Sequence, residues 1–126
     1  MKALLQTTVL IFITSITYGQ SIAGHWNGTL RVQGNQIRIV FHVTKINDQY
    51  EATLDSPDQN ATDIKVTTVN FSYPNVSFET SGIGAAYEGI VSGKSITGKW
   101  TQSGTALFLT LLKKEDSIDK DQRRIE

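Results

Sequence analysis

Gln36 to Lys45 reads QIRIVFHVTK, and its alternation decides the fold. Ile37, Ile39, Phe41 and Val43 fall on one face. Arg38, His42 and Thr44 fall on the other, with Val40 the one apolar residue among them. A hydrophobic period of two belongs to a strand with one buried and one wet face. Upstream, His25 to Gln33 repeats the device with Trp26, Gly28, Leu30 and Val32 on one side, and Gly34-Asn35 marks the hairpin turn between the two. Downstream, Asn47-Asp48-Gln49 turns into Tyr50 to Leu54, with Tyr50, Ala52 and Leu54 inward.

The rest of the chain continues in the same way. Asp55 to Asp63 (DSPDQNATD) is dense in turn formers and reads as the longest polar loop. Ile64 to Phe71 is a weaker strand, turned by Tyr73-Pro74-Asn75 into Val76 to Thr80. Tyr87 to Val91 and Ile96 to Gln102 form a hairpin across Ser92-Gly93-Lys94, and Ser103-Gly104 leads into Thr105 to Leu112. There Leu107, Leu109 and Leu111 point in and Phe108 and Leu112 point out. About eight short strands at regular spacing predict an all-β, antiparallel up-and-down meander, closed as a small lipocalin-like barrel or flattened as a sandwich. Gly28, Gly89 and Gly98 each lie two residues from an aromatic on the same face (Trp26, Tyr87 and Trp100). Strand glycines mark bends and close approaches, and a ring laid over one restores packing, so these pairs read as barrel corners.

The chain has 126 residues, with 12 Lys plus Arg against 12 Asp plus Glu and no Cys. That length supports one core. Balanced charge without a basic stripe argues against nucleic acid as a partner. Without Cys there are no disulfides and no thiolate metal sites. Residues 1–20 carry Lys2, an apolar-leaning run from Ala3 to Ile16 and small residues near Gly19, the pattern of a secretory signal peptide. The run is too short and too interrupted by Gln6, Thr7 and Thr8 for a permanent membrane span. The expected organisation is a signal peptide over 1–20, a barrel domain over 21–112 and a charged flexible tail over 113–126, with the mature protein secreted or periplasmic.

Catalytic patterns do not assemble from residue types alone. There is no Gly-x-Ser-x-Gly elbow, and His25 and His42, the two histidines, are expected on outward strand faces as surface residues. Gly93-Lys94-Ser95 lacks the earlier glycine of a phosphate loop, since Glu88 stands there, and Gly82-Ile83-Gly84 lacks the third glycine of a dinucleotide site. Asp55, Asp58 and Asp63 with Asn60 match no EF-hand spacing and read as turn chemistry, so no metal is assigned and no cofactor is expected. Asn27-Gly28-Thr29, Asn60-Ala61-Thr62 and Asn75-Val76-Ser77 fit the glycosylation acceptor pattern. The remaining candidate is the interior, where Trp26, Phe41, Tyr50, Tyr87 and Trp100 line the space for a small apolar ligand or fill it as core.

Several stretches taken in order carry a family resemblance: Gly24 to Leu30 (GHWNGTL), Ile39 to Val43, Ala52 to Gln59 (ATLDSPDQ), Ala86 to Gly89, Ile96 to Gly104 (ITGKWTQSG) and Leu107 to Leu111. Together they resemble the β-rich N-terminal domain that precedes the catalytic domain in secreted bacterial α/β-hydrolases. The hydrolase domain itself has no counterpart, so the resemblance implies a non-catalytic accessory module, standing alone or contacting a hydrolase partner. Gly24-His25-Trp26 also looks like the Gly-x-Trp start of lipocalins, which implies a carrier of a small apolar ligand. An esterase with an unrecognised site ranks third.

Overall fold

A computed structural model describes residues 21–114; the expected signal peptide and the tail beyond Lys114 lie outside the described residues. Among the described residues, nine antiparallel strands form one curled sheet. They are β1 (Gly24–Val32), β2 (Asn35–Ile46), β3 (Gln49–Ser56), β4 (Ala61–Lys65), β5 (Thr68–Ser72), β6 (Asn75–Thr80), β7 (Ala85–Ser92), β8 (Ser95–Gln102) and β9 (Thr105–Lys114). Spatial order is β4-β3-β2-β1-β9-β8-β7-β6-β5. Sequential neighbours pair except β4 and β5, which form the two edges, and β1 pairs with β9, so the meander curls back on itself as a barrel-like all-β fold.

The ninth strand comes from dividing one expected element. Ile64 to Phe71 is not a single strand: β4 pairs with β3, β5 pairs with β6, and Val66-Thr67 lies between them. The Val66 amide donates to Ala52 O on β3 at 3.0 Å, and the Thr67 amide donates to Glu79 O on β6 at 2.6 Å. One residue therefore binds one side of the gap and the next residue binds the other. The two edge strands of the sheet are joined at this seam by the chain itself, with Val66 buried beneath it.

The polar loop expected over Asp55 to Asp63 is also shorter than read. β3 runs on to Ser56, Pro57–Gln59 makes one 3₁₀ turn, Asn60 ends it in the left-handed region, and β4 begins at Ala61. The link between β6 and β7 is built alike: Thr80, the 3₁₀ turn Ser81–Ile83, left-handed Gly84, then Ala85. In both, the residue before the turn is a buried hydroxyl and the left-handed residue donates its amide back to the first carbonyl of the turn. By contrast, the β1–β2, β2–β3 and β8–β9 hairpins use two residues with positive φ: Gln33-Gly34, Asn47-Asp48 and Ser103-Gly104. Positive φ at both central positions matches the right-handed twist of the flanking strands. The first of these sits one residue earlier than Gly34-Asn35.

Inside, Phe41 of β2 stacks on Phe78 of β6 with centroids 4.5 Å apart. Tyr87 lies 6.0 Å from Phe41, and its hydroxyl donates to Leu109 O at 2.7 Å while burial pushes its pKa upward. Ile22 and Trp26 close the neighbouring end, with Trp26 Nε1 donating to Ile22 O at 2.8 Å. Gly89 and Gly98 face each other across β7 and β8. A side chain at Gly98 would run into the Glu88 carbonyl and the Gly89 Cα, and Tyr87 Oη lies 3.1 Å from where a Gly89 side chain would start. Gly28 is crowded by Leu109, Leu111 and the Thr110 carbonyl, not by a ring. Of the three expected pairs, Tyr87–Gly89 alone has the aromatic side chain beside its glycine, through Oη, while Gly98 and Gly28 are sites of close strand approach.

Gly98→Ala should destabilise the fold by about 1–3 kcal/mol or more, because a backbone carbonyl cannot move aside as a side-chain tip can. Gly82→Ala, with open space around it and no positive φ, should be near neutral. Urea denaturation of the two variants against the parent measures both.

Candidate functional site

Two arrangements stand out, one in the barrel mouth and one on its outer wall. The mouth lies at the end where β1 meets β2, β3 meets β4, β6 meets β7 and β8 meets β9. A cavity of about 470 Å³ opens there. Leu30, Val32, Ile37, Ile39, Leu54, Ile64, Ile83 and Leu107 supply its apolar wall, and Trp100 forms part of its floor. Ser56, Gln59, Gln102, Ser103 and Thr105 supply a polar rim. The two 3₁₀ turns present Gln59 and Ile83 to it. Gln102 ties the rim together: its Nε2 donates to Ile83 O at 3.0 Å, and its Oε1 accepts from Trp100 Nε1 at 3.3 Å. Ser56 Oγ donates to Gln59 Oε1 at 2.9 Å.

The five aromatics expected to line the interior separate into different roles. Trp100 borders the mouth cavity. Phe41 and Tyr87 are fully buried in the stack beneath it, and Trp26 is buried at the far end under Ile22. Tyr50 is half-buried near that end, 5.8 Å edge-to-face from Phe71. The aliphatic lining from β1, β2 and β9 is the part that singling out aromatics misses. Its signal was present in the alternation of Leu30, Val32, Ile37, Ile39 and Leu107. A broader depression of about 660 Å³ crosses the outer face of β5 to β8, but Asn70, Ser72, Ser77, Glu88, Thr97 and Lys99 make it a wet surface groove.

On the outer wall, His25 and His42 are direct cross-strand partners on β1 and β2, with Nδ1 atoms 2.5 Å apart. His42 Nε2 lies 2.7 Å from Asp55 Oδ2 on β3. Both histidines are thus on the outward face, as expected, but they are not isolated surface residues: a carboxylate and two imidazoles form a chain. Asp55 Oδ1 accepts the Asp63 amide at 2.7 Å. Asp63 has φ 55°, where the β3–β4 register slips between Leu54 and Ser56, so Asp55 also holds a bulge. Desolvation pushes the Asp55 carboxyl up, but the Asp63 amide and His42 together outweigh it and hold its pKa below the ordinary value. Asp58 goes elsewhere, gripping Arg38 through the backbone amide at 2.8 Å and Nη2 at 2.9 Å. The acidic residues of DSPDQNATD therefore do not converge, and among the described residues no group of three or more His, Asp or Glu side chains meets at one point. Of the acceptor asparagines, Asn60 and Asn75 are exposed, while Asn27 Nδ2 is buried without a partner.

Asp55 makes acid stability a test of this chain. Its folded pKa lies below 3.8, so its contribution is present above that pH and is lost as pH falls through the folded value. Asp55→Asn should lower stability at neutral pH and flatten the loss between pH 4 and lower values relative to the parent. Urea midpoints measured across an acid pH series check it.

Comparison of the chain with protein-family models, with curated proteins and with solved structures finds no match, and the functional reading rests on the mouth and the outer wall themselves.

Proposed function

We propose that this chain is a non-catalytic binding module whose barrel mouth takes a small apolar ligand, working outside the cytoplasm after loss of a leader. The observation that carries the reading is the mouth cavity. Its size falls within the roughly 300–1,000 Å³ common for small-molecule sites, with an apolar wall and few polar groups at the rim. The aromatic stack below gives it a firm floor, so ligand and core do not compete for the same space. Rim groups already bonded to one another, Gln102 above all, preorganise the opening.

A second reading is contact with a protein, such as the hydrolase that the sequence resemblance suggests. It is favoured by Phe108, 81% exposed at the middle of β9, with Leu112 exposed further along the same strand face. Lys99 Nζ lies 5.4 Å from the Phe108 ring, which leaves most of that ring uncovered.

The two tryptophans separate mouth binding from other events. Trp26 sits at the closed end and Trp100 at the mouth. Adding fatty acids or similar apolar compounds should change the fluorescence of the parent and of Trp26→Phe, and leave Trp100→Phe nearly silent. Ile83→Glu, a half-buried rim position, should weaken the response at least tenfold by placing a charge in the apolar opening. A flat response of the parent across a broad panel overturns the mouth reading.

A further inference from the structure

The His25–His42 pair has no part in the mouth reading, yet its geometry is specific. His42 Nε2 faces Asp55 Oδ2 at 2.7 Å, and an ionised carboxylate only accepts, so His42 carries its proton on Nε2. In the neutral ring that leaves a lone pair on Nδ1. This lone pair is aimed at Nδ1 of His25, 2.5 Å away, closer than an ordinary N–H hydrogen bond. Without metal, His25 Nδ1–H donates to that lone pair; when an ion binds, the His25 proton leaves Nδ1 for Nε2, and the two Nδ1 lone pairs then face the same ion. A histidine that ligates a metal commonly donates its other nitrogen to a carboxylate in this way, which sets the tautomer and the ring plane.

We propose that His25 and His42 form a site for a divalent transition metal of the imidazole-preferring class (zinc, nickel or copper), with Asp55 as the positioning residue. Two nitrogens on a tetrahedral ion stand roughly 3.3 Å apart for bond lengths near 2.0 Å, so the rings need to part by less than about an ångström. Both sit on adjacent strands in fixed register, which limits the ordering that binding demands. His25 is exposed and His42 half-buried, so water occupies the remaining coordination positions, there being no third described side chain at that point. Lys114 pairs with His25 across β9 and opposes the cation, so the site is weaker than one without that charge.

Titration of the untagged protein with Zn²⁺ by calorimetry, and with Cu²⁺ by electron paramagnetic resonance, tests the site. Expected are one ion per chain and nitrogen hyperfine structure from two imidazoles, both lost in His25→Ala and in His42→Ala. Asp55→Asn should weaken binding about 10–100-fold without removing it, and Lys114→Gln should strengthen it. Melting curves of the two alanine variants establish that they remain folded; should either unfold, His25→Gln and His42→Gln replace them. Absence of saturable binding by the parent overturns the proposal and leaves a hydrogen-bonded pair. Unchanged affinity in the His25→Ala/His42→Ala double variant overturns it as well, placing the ion elsewhere on the chain.

Discussion

Phe41 stacked on Phe78 is the contact on which the barrel's interior depends. The two rings come from β2 and β6, which are far apart in the order of the sheet, so they meet across the lumen. Tyr87 and Trp100 extend the cluster, at 6.0 and 6.3 Å from Phe41. Aromatic pairs at such separations add roughly 0.5–1.5 kcal/mol beyond the burial of their surface. Their position matters more than the sum. By joining opposite walls, they hold the sheet at a fixed curvature, and they divide its inside into a filled end and an open end.

The two ends are made by different connections. At the filled end, tight turns bring strands together, and the segment entering β1 folds Ile22 over Trp26. At the mouth, two of the four links carry a 3₁₀ turn and a left-handed residue, which add length without adding a loose loop. Each turn is held by a bond to a strand distant in sequence: Asp58 to Arg38 of β2 in one, Gln102 of β8 to Ile83 O in the other. An end framed by fixed turns leaves room that eight apolar side chains only partly fill. The cavity is thus a product of how the strands are linked.

Much of this was legible from residue order. Alternation in QIRIVFHVTK placed Ile39, Phe41 and Val43 inside, and the same logic put Leu109 and Leu111 in and Phe108 out. Local pattern failed where pairing is decided by distant strands. Nothing in IKVTTVNF says that Val66 and Thr67 bond to different neighbours, because Ala52 and Glu79 lie far along the chain in opposite directions. The 3₁₀ turn at Pro57–Gln59 was hidden by the density of turn formers, which marks a reversal but not how few residues it needs. The histidine chain was missed for a related reason. His25, His42 and Asp55 are each unremarkable strand residues, and only the register of β1, β2 and β3 brings them together.

That register also explains why a polar chain belongs on the outer wall of this barrel. Inside, each imidazole would displace an aromatic from the stack and need partners in an apolar space, at a cost of several kcal/mol for an unsatisfied polar group. On the outer face, Asp55 is available because it already braces the bulge at Asp63. One carboxylate thus serves two ends: one oxygen fixes the backbone where β3 and β4 slip register, and the other fixes the tautomer of His42. The coupling ties the chemistry of the wall to the geometry of the mouth, since the bulge lies on the strand pair that carries Leu54 and Ile64 into the cavity. Any change that relaxes the bulge should therefore disturb both.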